Sequence, residues 1–195
     1  MAEQIGTYHL ADNPELFEVA RSNHYELLVY GLDRVLAAGV DEADAQESDY
    51  ITGGKDIIRL SVIKCTVPHF EQDEIEIARG NTKIYAAGKP TFKEGSIEVN
   101  DFIGEGGKSL LMAWQRLSYD ATNEKIGSMA NYKKFAQLVE YDVGFNKIIR
   151  TWDVHGCWVK GLSEPDYDYN EGGKRSITAT LRYDYAIPHV DSEEE

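Results

Sequence analysis

Residues 176–185 read Ser-Ile-Thr-Ala-Thr-Leu-Arg-Tyr-Asp-Tyr, and their alternation is strict. Ile177, Ala179, Leu181, Tyr183 and Tyr185 fall on one side; Ser176, Thr178, Thr180, Arg182 and Asp184 fall on the other. A β-strand converts a period of two into one apolar and one polar face, whereas a helix would scatter these residues around its axis. The segment is therefore a strand lying on a core, and Pro188, which has no N–H to donate, is expected to stop it.

The same period recurs along the chain. Residues 74–78 (EIEIA) set Ile75 and Ile77 against Glu74 and Glu76, and residues 96–100 (SIEVN) set Ile97 and Val99 against Ser96, Glu98 and Asn100. Residues 24–30 (HYELLVY) are rich in strand formers and end at Gly31. Residues 56–67 are expected to form a strand with Ile58, Leu60 and Val62 on one face, Arg59 and Ser61 on the other, and Pro68 at its end. A short strand is expected over 83–87, with Gly88-Lys89-Pro90 turning the chain. Residues 132–143 and 147–159 read as two long strands joined at Gly144-Phe145-Asn146 into a hairpin, followed by a polar loop over 161–173.

One helix stands out. After the glycine-rich stretch at 104–107, Leu110, Trp114 and Leu117 recur at helical spacing with Leu111 beside them, and Gln115, Arg116 and Ser118 take the wet side. The helix is predicted over 107–119, with Leu110, Trp114 and Leu117 as its core. Several strands, one mid-chain helix and no βαβ rhythm predict a mainly β (α+β) fold: an antiparallel β-sandwich or barrel with one packed α-helix.

A chain of 195 residues suits a single domain with its own core. Within 1–195, residues 1–22 read as an N-terminal arm. Residues 39–55 form an acidic loop insertion carrying Asp41, Glu42, Asp44, Glu47 and Asp49, and residues 188–195 form an acidic, flexible tail. The first residues have neither a basic start nor an apolar stretch, so no signal peptide is expected. No run approaches the roughly 18 apolar residues of a membrane span. The two cysteines, Cys65 and Cys157, are expected to be free and at least partly buried. The net charge of −14 argues against nucleic-acid reading, which needs cations on phosphates, and is compatible with DNA passing nearby without adhering.

Catalytic and metal patterns are weak. Gly-Glu-Gly-Gly-Lys-Ser at 104–109 has Phe102 where a phosphate-cradling loop requires glycine. Cys65, His69, His155 and Cys157 are ligand types, and His155 and Cys157, two apart, are expected to share a strand face. Their spacing matches no structural zinc pattern, so buried thiols and ordinary histidines are the simpler reading. No G-x-S-x-G or H-E-x-x-H occurs. Tyrosine is abundant, 12 residues, and suits strands and interfaces alike. No enzyme, cofactor or metal is expected. A small-ligand-binding β-barrel and a β-sandwich hydrolase built around one of the five histidines stay open as other classes.

Four stretches together resemble the tail tube family of contractile-tailed bacteriophages, related in fold to the tube proteins of R-type pyocins and type VI secretion. They are ARSNHYELLV at 20–29; KCTVPHFEQDEIEIARGNTKIYAAGKPTFKEGSIEVND at 64–101; LMAWQ at 111–115 within the helix; and YKKFAQLVEYDVGFNKIIRTWDVHGCWVKGLSEPDYDYN at 132–170, leading into the last alternating strand. The likeness runs over about residues 20–187 and lies in the order of the pieces. The loop at 39–55 and the tail at 188–195 depart from it and read as decorations outside the tube or contacts to a sheath.

The resemblance implies a structural virion protein. Its hexameric rings stack into the inner tube of a contractile tail, assembled in the host cytoplasm, through which DNA is ejected. It implies partners as well: further copies of itself, the tail sheath protein, baseplate and tail terminator proteins, and the tape measure protein and DNA in the lumen without sequence-specific binding. A tube protein of another contractile injection system and a tube initiator are the neighbouring alternatives. Strand alternation in such a barrel makes Glu74, Glu76 and Glu98 candidates to line the lumen, where carboxylates would repel DNA. Lys83, Tyr85, Lys89, Phe92 and Lys93 are candidates for contacts between subunits or rings.

Overall fold

The computed structural model describes residues 19–33, 53–103, 106–168 and 172–190. The expected arm over 1–22 lies outside them up to residue 18, as do residues 39–52 of the acidic loop and 191–195 of the tail.

The strands are β1 (Tyr25–Val29), β2 (Val62–Cys65), β3 (Phe70–Arg79), β4 (Thr82–Phe92), β5 (Gly95–Asn100), β6 (Tyr119–Asp120), β7 (Lys125–Ile126), β8 (Lys134–Tyr141), β9 (Ile148–Ser163), β10 (Ser176–Arg182) and β11 (Tyr185–Val190). The helices are α1 (Gly54–Ser61), α2 (Gly107–Arg116) and the single turn α3 (Met129–Tyr132). Seven strands form one antiparallel sheet in the order β1-β8-β9-β10-β5-β2, with β11 also on β9; β3–β4 and β6–β7 are separate pairs.

The long strand β9 folds this sheet into a sandwich. Its first half runs between β8 and β11 (Val154 opposite both Ala136 and Ala186), and residues 158–163 pair with β10. The change happens at Gly156, whose φ of +67° lies in the left-handed region. A Cβ there would come within 2.2 Å of Asp184 Oδ2. Asp184 is where β10 gives way to β11, so both crossings between the layers meet at one point, tied by Asp184 N–H to His155 O at 2.9 Å and by Lys133 Nζ to Asp184 Oδ1 at 2.7 Å. We call β1-β8-β9-β11 layer A and β2-β5-β10 with residues 158–163 layer B. A single core between them gathers Leu27, Val29, Leu138, Val154, Ile97, Val99, Ala179 and Leu181.

The mainly β antiparallel sandwich with a packed mid-chain helix is the fold expected. Leu110, Leu111 and Trp114 of α2 are buried, Leu117 packs on the core at the helix end, and Trp114 Nε1–H donates to Tyr132 O at 2.8 Å.

Four local expectations are corrected. Residues 56–67 are not one strand: α1 holds 54–61, and only 62–65 are extended. Gly54, Ile57, Ile58 and Ser61 are the buried set, spaced three and four apart, while Leu60 is exposed. A period near 3.6 thus overrides an apparent alternation, and a second helix joins α2. Gly88-Lys89-Pro90 is not a turn but a bulge within β4, opposite Asp73, where a Cβ on residue 88 would meet Asp73 O at 2.6 Å. Pro188 does not stop the last strand: β11 continues to Val190, with Pro188 opposite Trp152, on an edge strand where a missing N–H is tolerated. The expected tail from 188 therefore begins as strand. His155 and Cys157 do not share a face, because the conformation of Gly156 shifts the parity: Cys157 is buried in the core, whereas the His155 ring stacks on Tyr185 outside it.

Candidate functional site

Among the described residues, the hairpin β3–β4 stands outside the seven-stranded sheet. Its strands pair only with each other, and every residue of β3 is exposed. Gly80-Asn81 forms the turn, with Gly80 at φ +60° between the pair Arg79 and Thr82. Gly-Asn between two alternating runs is a hairpin signal, so the sequence did carry this turn.

Register sorts the hairpin into two faces. Ile75 opposes Ala86 and Ile77 opposes Ile84, giving an apolar face. Glu74 opposes Ala87, Glu76 opposes Tyr85 and Ala78 opposes Lys83, giving a mixed face on which Lys83 Nζ reaches Glu76 Oε1 at 2.8 Å. Ile75, Ile77 and Ile84 are 53%, 46% and 46% exposed.

An aromatic root holds the hairpin to the body. Phe70 opposes Phe92 with ring centroids 5.4 Å apart, and Phe92 meets Tyr183 edge-on at 6.1 Å. The Tyr183 hydroxyl accepts from His69 N–H at 3.2 Å and lies 3.4 Å from His69 O. Lys93 N–H donates to that same carbonyl at 3.1 Å. Lys93 Nζ also binds Glu71 at 2.7 Å, and this hydrogen-bonded cation holds the Glu71 carboxyl below its usual range.

The two layers of the body present different outer faces. Layer B shows Ser96, Glu98, Asn100, Ser176, Thr178 and Thr180 around β5 and β10, and Ser176 Oγ donates to Glu98 Oε1 at 2.7 Å. Layer A shows rings and a polar chain: Phe135 against His155, His155 stacked on Tyr185, and Tyr30 to Gln137 to Asp153 to His189 across its four strands.

Their edges differ too. Helix α1 caps β1: Ile57 and Ile58 join the core beside Leu27, while Arg59 Nε reaches Glu26 at 3.2 Å and the Lys55 ammonium lies over the Tyr30 ring at 4.4 Å. The opposite edge of layer A, β11, carries Pro188. Layer B has β2 at one margin and residues 158–163 at the other, and neither has a second strand partner among the described residues.

The anticipated site residues therefore occupy distinct places. Glu74, Glu76, Lys83 and Tyr85 share the mixed face of the hairpin. Lys89 lies in the bulge, and Phe92 and Lys93 form the root. Glu98 sits apart from them, on layer B.

Cys65 and Cys157 line one interior cavity of about 30 Å³, and burial pushes both thiols up to about 12. Among the described residues, no group of three or more His, Cys, Asp or Glu side chains could hold a metal ion.

No protein-family model matches the chain. Over 115 residues it is 24% identical to the tail tube protein gp19 of Enterobacteria phage T4, covering 58% of this chain and 71% of gp19. The gp19 of Enterobacteria phage T6 matches with the same identity and coverage. Among solved structures, a chain of the PVC sheath-tube complex, an extracellular contractile injection system in its extended state, superposes with a TM-score of 0.63. That match has 12% identity and covers 92% of this chain and 97% of the other. A chain of the sheath/tube terminator of the PVC system gives 0.60 at 14% identity, covering 88% and 97%.

Proposed function

We propose that this chain, a homologue of the T4 and T6 tail tube protein gp19, is a structural protein and not an enzyme, and that it polymerises with itself into the inner tube of a contractile tail. The tube is built of six-membered rings stacked inside a sheath, and DNA leaves through its channel.

The observation that carries this reading is the asymmetry of the two layers. An unpaired strand edge is a template for another chain, and natural proteins blunt the edges they keep free. Layer A is blunted by α1 on one side and Pro188 on the other; among the described residues, layer B has no strand partner at either margin. Joining layer B of one copy to layer B of the next satisfies both margins, and repetition of that step closes a barrel. The surface turned to the channel is then rich in hydroxyl groups, with Glu98 among them. That face also carries Lys64, opposite Glu98, and Arg182, opposite Trp158.

Glu74 and Glu76, on the hairpin, extend the acidic lining. Lys83, Tyr85, Lys89, Phe92 and Lys93 belong to an arm that reaches a neighbouring copy. The sheath protein packs outside the tube, baseplate and terminator proteins cap its ends, and the tape measure protein occupies the lumen until DNA replaces it. The protein's place is the virion tail.

Negative-stain electron microscopy of the concentrated chain, alone and with its baseplate, tests this reading. Rings or hollow tubes with a central channel are expected; monomers under both conditions would refute it. The cavity lined by Cys65 and Cys157 is about 30 Å³, room for a water molecule rather than a ligand.

A further inference from the structure

Cys65 ends β2, and Cys157 follows the crossing of β9 at Gly156. Both are free thiols, and both line the cavity of about 30 Å³, among Leu27, Val154, Leu181 and Tyr183. Their surroundings differ. Cys157 is 1% exposed. Cys65 is partly buried and stands between two spaces, because it also lines an open groove of about 410 Å³ bounded by Arg21, Tyr25, Leu138 and Arg150. One thiol is therefore reachable from the groove. The other meets it only across the cavity, which has room for about one water molecule.

We propose that Cys65 and Cys157 form an oxidation site, at which a peroxide converts the two thiols to a disulfide that staples β2 to β9. Cys65 reacts first. Its sulfur attacks one peroxide oxygen, the O–O bond breaks, and the departing hydroxide takes the Cys65 proton and leaves as water; the sulfur is now a sulfenic acid. The Cys157 sulfur then attacks the Cys65 sulfur. An S–S bond forms, the S–O bond breaks, and the hydroxide leaves as water with the proton of Cys157. Two thiols and one hydrogen peroxide give one disulfide and two waters. Burial pushes both thiols up to about 12, so thiolate is scarce and the first step is slow near neutral pH.

Two features of the fold let the sulfurs meet. The cavity gives one sulfur room to move toward the other, and filling it restores dispersion contacts that a void forfeits. Strand β2 has only four residues and, among the described residues, pairs only with β5, so its end shifts without breaking a second ladder. The bond closes a long loop that contains the β3–β4 hairpin and α2, and a long loop is where a disulfide removes most entropy from the unfolded chain. Thiols stay reduced in a cytoplasm and pair in oxidising surroundings. On the reading of this chain as a virion component, the staple closes after release from the cell; the chemistry of the pair does not depend on assembly.

The test uses the unmodified full-length chain, folded and fully reduced. It is exposed to hydrogen peroxide at about pH 9, where more thiolate is present, then unfolded, treated with N-ethylmaleimide and mapped by peptide mass spectrometry. A peptide pair joining Cys65 to Cys157 within one chain, released by dithiothreitol and carrying no maleimide, is expected. The oxidised sample should melt about 10 °C higher before dithiothreitol than after it. Maleimide on both cysteines after peroxide would overturn the proposal. So would sulfinic acid at Cys65 beside a free Cys157, a disulfide formed only between copies, or an oxidised chain that melts below its reduced form. Each of these outcomes leaves the tube reading intact, since that reading is tested by electron microscopy of the reduced chain.

Discussion

Strands β3 and β10 obey the same rule of alternation and end in opposite surroundings. Ile177 and Ala179 of β10 are closed off in the core, whereas Ile75 and Ile77 of β3 remain about half exposed. Nothing in the local pattern separates EIEIA from SITAT. Alternation specifies a strand with one apolar face; what covers that face depends on which strands come to lie above it. For β10, the core shared with layer A does so. For β3, the described part of the chain supplies only β4, and the face stays about half exposed.

The contrast can be broken most forcefully by mutation in each region. Trp114→Ala removes a fully buried ring and its hydrogen bond to Tyr132, and should cost about 3–5 kcal/mol in urea unfolding. Ile77→Ala on the hairpin should cost the unassembled chain less than about 1 kcal/mol, yet shorten or abolish the tubes seen by electron microscopy. Comparable losses of monomer stability would mean that the hairpin is part of the core after all.

A smaller effect is expected at the joint between the two regions. Tyr183→Phe keeps the ring against Phe92 and deletes the hydroxyl that meets His69. It should cost about 1 kcal/mol. The loss should appear in hydrogen exchange as faster hairpin amides with the body amides unchanged; uniform acceleration would show that Tyr183 supports the body rather than the arm.

A further effect is graded by pH and belongs to the body alone. In the unfolded chain the Cys157 thiol ionises at about 8.5, whereas burial holds it protonated up to about 12 in the native chain. Between those values the native state binds more protons, so stability falls as pH rises, with a limiting slope of about 1.4 kcal/mol per pH unit from this thiol. Cys157→Ala should flatten the fall in unfolding free energy between about pH 9 and pH 11 by up to about 1.4 kcal/mol per pH unit, read from urea unfolding at each pH. An unchanged profile would remove the thiol as its cause.

Much of this architecture was legible from residue order. The strand at 24–30, the SIEVN strand, the 132–159 hairpin and the helix bearing Leu110 and Trp114 each follow from a period and its flanking turn residues, because those signals are local. The errors share one origin. In 56–67, Ile58, Leu60 and Val62 fit a strand as well as Ile57, Ile58 and Ser61 fit a helix, and contact with Leu32 and the β1 edge decides between them. Pro188 forbids a central strand, and only the sheet order reveals that β11 lies at an edge.

By itself, then, the sequence determined the mainly β class, the mid-chain helix and the resemblance in the order of its pieces. Tertiary structure alone decided that β9 crosses between layers at Gly156, that α1 packs on the β1 edge of layer A while layer B, among the described residues, has no strand partner at either margin, and that Glu98 is separated from Glu74 and Glu76. The physical reason is range. Backbone period is written over a few neighbouring residues, whereas burial, edge protection and charge placement depend on residues far apart in the chain meeting across one core.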